Sequence, residues 1–136
     1  MTPRLLVRNG AQSKLLQPEK CELVYGEVDD KTAVMETLQG CSSVIYNIGI
    51  IREFPVNGIT YESLHYLGAK RCIDEAVNFK IDRFILMSAN CVKADGTGYQ
   101  KTKMLAEEYL KSVNLEYTIF RPVSYTHLTL PTNREV

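Results

Sequence analysis

RFILMSANCVKADGTGYQKTK, running from Arg83 to Lys103, sets a short apolar run, a glycine-bearing loop and a Tyr–Lys pair in direct succession. RFILMS (Arg83–Ser88) is short and nearly continuously hydrophobic, the pattern of a strand covered on both faces. ADGTG then reads as a loop, and YQKTK opens a helical stretch over Tyr99–Val113. On that helix Ala106, Tyr109, Leu110 and Val113 share one face, while Lys103, Glu107 and Lys111 can ladder at i,i+4 spacing. Strand, loop and helix in this order form one half of a crossover between parallel strands.

The same alternation extends outward in both directions. RLLVR (Arg4–Arg8), ELVY (Glu22–Tyr25), SVIYNIGI (Ser43–Ile50) and YTIF (Tyr117–Phe120) read as further strands. Helical patterns cover Asp30–Leu38 and roughly Tyr61–Asn78, with Asp29 or Asp30 able to cap the first and Gly40 placed to end it. The fold class expected is α/β, a parallel sheet with flanking helices in one domain or part of one.

Composition narrows the function classes. The chain has 136 residues, 45% hydrophobic and 24% charged, with a formal net charge of zero. Those are globular values, and the charge balance offers no electrostatic grip on nucleic acid. No apolar run reaches membrane-spanning length, and MTPRLLVRNG lacks the apolar core of a signal peptide, so a cytoplasmic protein is expected. Cys21, Cys41, Cys72 and Cys91 form no C-x-x-C, so buried reduced thiols are expected and no metal site.

The Tyr99–Lys103 spacing puts a phenol and an ammonium on one helix face, where the cation can favour the phenolate for acid/base work. With eight tyrosines in the chain, spacing alone decides little: Tyr66 and Lys70 repeat it. Context separates the two. Tyr99 follows a strand through a glycine-rich loop and so falls at the carboxyl edge of the sheet, where open α/β folds bind ligands. Tyr66 and Lys70 fall within a helix expected to pack on the sheet.

Taken together, LLVR (Leu5–Arg8), YGEVDD (Tyr25–Asp30), NIGIIRE (Asn47–Glu53), FILMSAN (Phe84–Asn90), YQKTK (Tyr99–Lys103) and EYTIFRP (Glu116–Pro122) resemble, in order, the second to sixth strand units of the atypical, NmrA-like short-chain dehydrogenases/reductases. NIGIIRE, LHYLGA and YQKTKMLAEEYL are similar to relatives of the nucleotide-binding accessory subunit of respiratory complex I. The resemblance implies an NAD(P)-binding Rossmann-like sheet. It places Arg8 against the 2′-phosphate of NADP, and a guanidinium fork suits that phosphate. No acid stands at this strand end to take the ribose hydroxyl that NAD presents, so NADP(H) is expected over NAD(H). Read without the family, Arg8 is an exposed arginine on a strand end.

The resemblance also sets Glu27 and Val28 at the adenine edge, although the family has Asp where this chain has Glu27. Asn47 and Gly49 match its Asn…Gly turn, and Pro122 joins the cofactor-binding set. For catalysis it implies Tyr99 as acid/base, Lys103 as the group that lowers the tyrosine pKa and binds ribose, and Ser88 as the hydroxyl that orients a carbonyl. By register the serine position aligns with either Ser88 or Asn90; with Asn90 the proton-transfer set is incomplete. Arg52 and Glu53 either border a substrate mouth or form a solvated ion pair, and His65 is expected to be a satisfied packing residue. Two functions follow: an oxidoreductase acting on a carbonyl or hydroxyl carbon, or a non-catalytic NADPH-binding accessory factor, assembly factor or regulator. The expected partners are the dinucleotide and either a small-molecule substrate or respiratory-complex subunits.

Two features stand apart. No glycine-rich strand–turn–helix precedes Arg4, so residues 1–122 are expected to be a partial Rossmann domain, inactive by itself. In strand order 3-2-1-4-5-6 the missing strand is central, and its loss exposes two inner edges unless the flanking strands pair. At the other end, VSYTHLTLPT (Val123–Thr132) resembles a translated transposon-end sequencing adapter. Asn133–Glu135 then stand at the barcode and Val136 before the adapter's stop, so 123–136 are expected to be a non-native tail.

Overall fold

The structure, a computed structural model, describes residues 1–123. The tail expected over 123–136 lies outside the described residues from Ser124 onward. In chain order the elements are β1 (Arg4–Val7), β2 (Glu22–Tyr25), α1 (Lys31–Leu38), β3 (Ser43–Tyr46), a π turn (Glu62–Leu67) leading into α2 (Gly68–Asn78), β4 (Arg83–Met87), α3 (Gly98–Ser112) and β5 (Glu116–Phe120). The pairings between these strands are all parallel: Leu5 lies opposite Leu23, Val44 opposite Phe84, and Phe84 opposite Tyr117. Parallel neighbours need crossovers: α2 joins β3 to β4, α3 joins β4 to β5, and residues 8–21, with two short 3-10 turns, join β1 to β2.

The sheet is split. β1 pairs with β2, and β3 with β4 and β5, but β1 and β3 do not pair among the described residues. A cleft of about 280 Å³ separates them, with Leu5, Leu6, Val44, Ile45 and Ile48 in its walls. The two inner edges therefore stay unpaired instead of closing on each other, and each offers backbone groups to a further strand.

Local chemistry explains the helix limits. Asp30, not Asp29, caps α1: its carboxylate accepts from the N–H groups of Thr32 and Ala33 at 2.9 and 3.2 Å. Gly40, at φ +76°, takes the left-handed conformation that ends the helix. Thr97 and Gln100 form a reciprocal capping box at the start of α3.

One core unites the halves. Val44, Tyr46, Phe84 and Leu86 pack under Ala69, Cys72, Ile73 and Ala76 of α2 and Ala106 and Leu110 of α3. The opposite face of β3–β5 is uncovered, leaving Ile45 67% and Phe120 51% exposed. Coverage on both faces was expected; the helices that pack on these strands crowd onto one side. The i,i+4 ladder expected on α3 forms only in part. Lys103 and Glu107 turn inward and are buried, and only the Glu107–Lys111 rung forms, at 3.8 Å. The thiols divide likewise: Cys72 is buried, Cys21 and Cys41 are half-buried, and Cys91 is exposed.

Gly68 sits where α2 meets β3. A Cβ there would come within 2.5 Å of the Tyr46 hydroxyl and 3.0 Å of Val28 Cγ1. Neither neighbour can retreat easily: both are buried, and the Tyr46 hydroxyl donates to the Leu64 carbonyl. Gly68→Ala is therefore expected to cost about 1–3 kcal/mol by overpacking, read as a lowered urea midpoint.

Candidate functional site

Of the cofactor-side residues expected from the sequence, Arg8, Glu27, Val28, Asn47 and Pro122 stand just past the carboxyl end of a strand. Arg8 follows β1 and is exposed; its carbonyl accepts from Ala11 N–H as the chain turns. Glu27 follows β2 and is exposed, whereas Val28 is buried in the core with its carbonyl held by Arg71 at 2.8 Å. Asn47 follows β3 at the surface. Pro122 follows β5, and its carbonyl accepts from Asn90 N–H at 3.2 Å, carrying the β4–β5 pairing outward.

Lys103, His65, Gly49 and Tyr99 come together. Lys103 is 6% exposed, and its ammonium donates to the Met87 carbonyl at 3.0 Å, at the end of β4. Burial lowers its pKa below the usual lysine range. The Cβ position of Gly49 lies 3.3 Å from Lys103 Nζ and 3.6 Å from His65 Nε2, so a side chain there would press on both groups. Tyr99 is half-buried, with its ring edge-on to His65 at 5.0 Å and to Tyr61 at 5.7 Å.

His65 is the residue whose importance sequence reasoning understated. It is 1% exposed and satisfied, as expected for a packing residue, yet it lies at the centre of this group. Its Nε2 accepts from Ile50 N–H at 3.0 Å, and Nδ1 lies 3.3 Å from Thr102 Oγ1. Burial first, then the nearby Lys103 charge, push its pKa down to about 4, and the Ile50 N–H, by occupying the Nε2 lone pair, favours the same neutral ring. The neutral ring is thus favoured in the fold. Its contribution to stability is complete above the ordinary histidine value of 6.5 and is lost as pH falls through about 4.

The other candidates separate from this group. Lys70 is engaged by Asp74 at 3.0 Å and lies 4.7 Å from the centre of the Tyr109 ring, so the second Tyr–Lys pair has its cation in a surface network. Arg52 and Glu53 form no ion pair among the described residues; Glu53 instead accepts from Tyr61 N–H at 2.7 Å. Asn90 is exposed. Ser88 is 5% exposed, and its hydroxyl has no partner of full hydrogen-bond geometry. That hydroxyl faces Glu107, one turn of α3 beyond Lys103, and helps to hold the Glu107 carboxylate ionised. Glu107 is itself fully buried and takes a two-pronged grip from Arg121, at 3.0 and 2.5 Å. Burial tends to raise its pKa, but Arg121 together with Ser88 and Lys111 outweighs this and holds it below the ordinary carboxylate value.

A surface that gathers strand ends, a buried lysine and a half-buried phenol can hold an extended polar ligand across the sheet edge. Comparison with known proteins agrees in kind. The sequence pattern of the family described as NAD(P)H-binding matches residues 1–136. Photosystem II assembly factor Ycf39 of Cyanophora paradoxa is 31% identical over 119 residues, covering 87% of this chain and 36% of that protein. The mitochondrial NADH-ubiquinone oxidoreductase 40 kDa subunit of Neurospora crassa is 33% identical over 82 residues, covering 60% of this chain and 22% of that one. The chain thus spans about a third or less of the length of these curated relatives. Among solved structures, a Bacillus halodurans protein carrying the name NAD-dependent epimerase/dehydratase superposes with TM-score 0.73 at 26% identity, over 88% of this chain and 57% of its own. Citrobacter triphenylmethane reductase complexed with NADP(H) gives TM-score 0.68 at 14% identity, over 90% and 40%, and supports the fold. No helix among the described residues is long and apolar enough to cross a membrane.

Proposed function

We propose, from the premise that this chain belongs to the NAD(P)H-binding family, that it supplies part of the cofactor edge of an oxidoreductase of the atypical short-chain dehydrogenase/reductase type. The observation that carries this reading is the convergence of Gly49, Lys103 and Tyr99 at the carboxyl ends of β3 and β4. In this reading residues 1–122 are a partial Rossmann domain and 123–136 a non-native tail; the split between β1 and β3 supports the first part.

The dinucleotide would lie across the strand ends with Arg8, Asn47, Gly49 and Lys103 beneath it. It supplies the hydride-transfer chemistry when bound. The chain's own residues bind and orient: Lys103, fixed by the Met87 carbonyl beside Gly49, would give its remaining donors to the dinucleotide, and Tyr99 can exchange a proton with a carbonyl or hydroxyl oxygen. NADP(H) is favoured over NAD(H) because Arg8 is exposed beyond β1 and its fork has no side-chain partner among the described residues. Titration of the full-length protein with NADPH and NADH tests this. Arg8→Gln is expected to weaken NADPH by about tenfold or more, the worth of a charge-assisted phosphate contact, while leaving NADH nearly unchanged. Tighter binding of NADH by the wild type would overturn the preference.

A second reading, a non-catalytic cofactor-binding accessory or assembly factor, has its own support. Ser88 has its hydroxyl buried beside Glu107, and the two curated relatives are named as an assembly factor and a respiratory-complex subunit. A cytoplasmic location is proposed under either reading, and fractionation of the tagged full-length protein tests it.

A further inference from the structure

His65 connects three parts of the site through hydrogen bonds whose directions can be assigned. A backbone N–H can only donate, so the Ile50 amide fixes Nε2 of His65 as the acceptor. The ring proton must then sit on Nδ1. Opposite it, the Thr102 hydroxyl spends its one proton on the Gly98 carbonyl at 2.8 Å, leaving a lone pair facing Nδ1 at 3.3 Å. The chain therefore runs Ile50 N–H to His65, His65 N–H to Thr102, and Thr102 O–H to the first residue of α3.

The backbone makes this reach possible. His65 lies in the π turn, whose widened spacing lets one side chain leave the regular helical register. Tyr61 stacks on one side of the ring at 5.4 Å, and Tyr99 closes another edge-on at 5.0 Å. The titratable groups facing the imidazole are thus Lys103 and Tyr99 from α3 and Tyr61 from the turn before the π segment.

We infer that His65 is a positioning residue of the cofactor edge: its neutral, Nδ1-protonated ring ties the Ile50 amide to α3 and thereby holds Gly49 against Lys103. Its consequence for binding rests on the cofactor reading above; the tie itself does not. Loss of the ring frees the loop after β3, and the surface beneath the dinucleotide loses its fixed shape.

Two amides divide the imidazole's functions. In His65→Gln the side-chain oxygen reaches toward the position of Nε2 and can accept from Ile50. In His65→Asn the amide reaches only the position of Nδ1 and can serve Thr102 but not Ile50. His65→Leu removes both. In the full-length protein, NADPH affinity and hydrogen exchange at the Ile50 amide are measured together with the melting temperature. The glutamine variant is expected to stay near wild type. The asparagine and leucine variants are expected to lose about tenfold in NADPH affinity, the worth of one buried hydrogen bond, and to exchange the Ile50 amide correspondingly faster. The tie is overturned if Ile50 exchanges equally slowly in all variants, or if exchange and affinity follow the melting temperature alone without separating glutamine from asparagine. A wild type that binds no dinucleotide would remove the cofactor reading, and the Ile50 exchange rates would still decide the tie.

Discussion

Tyr99→Phe in the full-length protein is expected to lower turnover by roughly 10²–10⁴-fold, the range for losing a positioned general acid or base, while NADPH binds as in the wild type. The substitution is clean because the tyrosine ring does two jobs. Its body packs edge-on against His65 and Tyr61, and phenylalanine keeps that packing. Its oxygen has no protein partner among the described residues, so removal strands no buried donor or acceptor. Lys103 stays anchored to the Met87 carbonyl in either case, and the cofactor surface is unchanged. Single-turnover assays with NADPH and a panel of carbonyl compounds, alongside cofactor titration, read both halves of the prediction. Loss of rate with intact binding supports the oxidoreductase. A wild type that binds NADPH yet reduces nothing supports the accessory factor, and the burial of Ser88 then becomes the structural reason to examine first.

The strand and helix succession was legible because both patterns are local. Short β-branched runs such as SVIY, with helical periods between them, leave few alternatives to a parallel α/β sheet. The capping box of Thr97 with Gln100, which places the start of α3 and hence Tyr99, was seen only in the structure. What stayed hidden depends on distant partners. RFILMS and SVIY look fully buried in sequence, but whether both faces are covered depends on where the helices pack, and here Ile45 faces out. The split beside β1 is likewise a property of the assembled sheet, not of any segment.

The site shows the same division. The Tyr–Lys spacing was visible, and the glycine loop set Tyr99 apart from Tyr66 by its place after a strand. The role of His65 was not, since nothing in LHYLGA announces a π turn that sends the ring toward Ile50. The rung of the α3 ladder that does not form has a different cause. Spacing lets Lys103 pair with Glu107, yet each finds an inward partner from another element: the Met87 carbonyl for the lysine, and Arg121 beyond β5 for the glutamate. A charge can sit on the core side of a helix when tertiary structure brings its counter-group, and a single sequence shows no such pairing.

That Arg121–Glu107 pair yields the largest expected effect on stability. Glu107 has no exposed side-chain surface, and Arg121 grips both of its oxygens while remaining 47% exposed itself. Arg121→Met leaves a buried carboxylate with Lys111 at 3.8 Å and the Ser88 hydroxyl. Breaking a fully buried pair costs about 3–5 kcal/mol; the exposure of Arg121 and the remaining help from Lys111 bring the expected loss at neutral pH to about 2–3 kcal/mol. The pH dependence identifies the cause. In the wild type the folded carboxylate titrates below its ordinary value of 4.5, so its stabilisation is present above that value and fades as acid protonates it. Without the guanidinium, burial dominates and the folded pKa rises above 4.5. Protonation then relieves the variant, whose penalty is greatest near neutrality and shrinks as pH falls toward 4. Urea midpoints at pH 7 and pH 4 should therefore lie far apart for the two proteins at the first pH and converge at the second. Adding Glu107→Gln to Arg121→Met should recover part of the loss at pH 7 by removing the stranded charge. A penalty that is equal at both pH values, with no recovery in the double variant, would mean that Arg121 acts through packing of its aliphatic stem and not through the carboxylate.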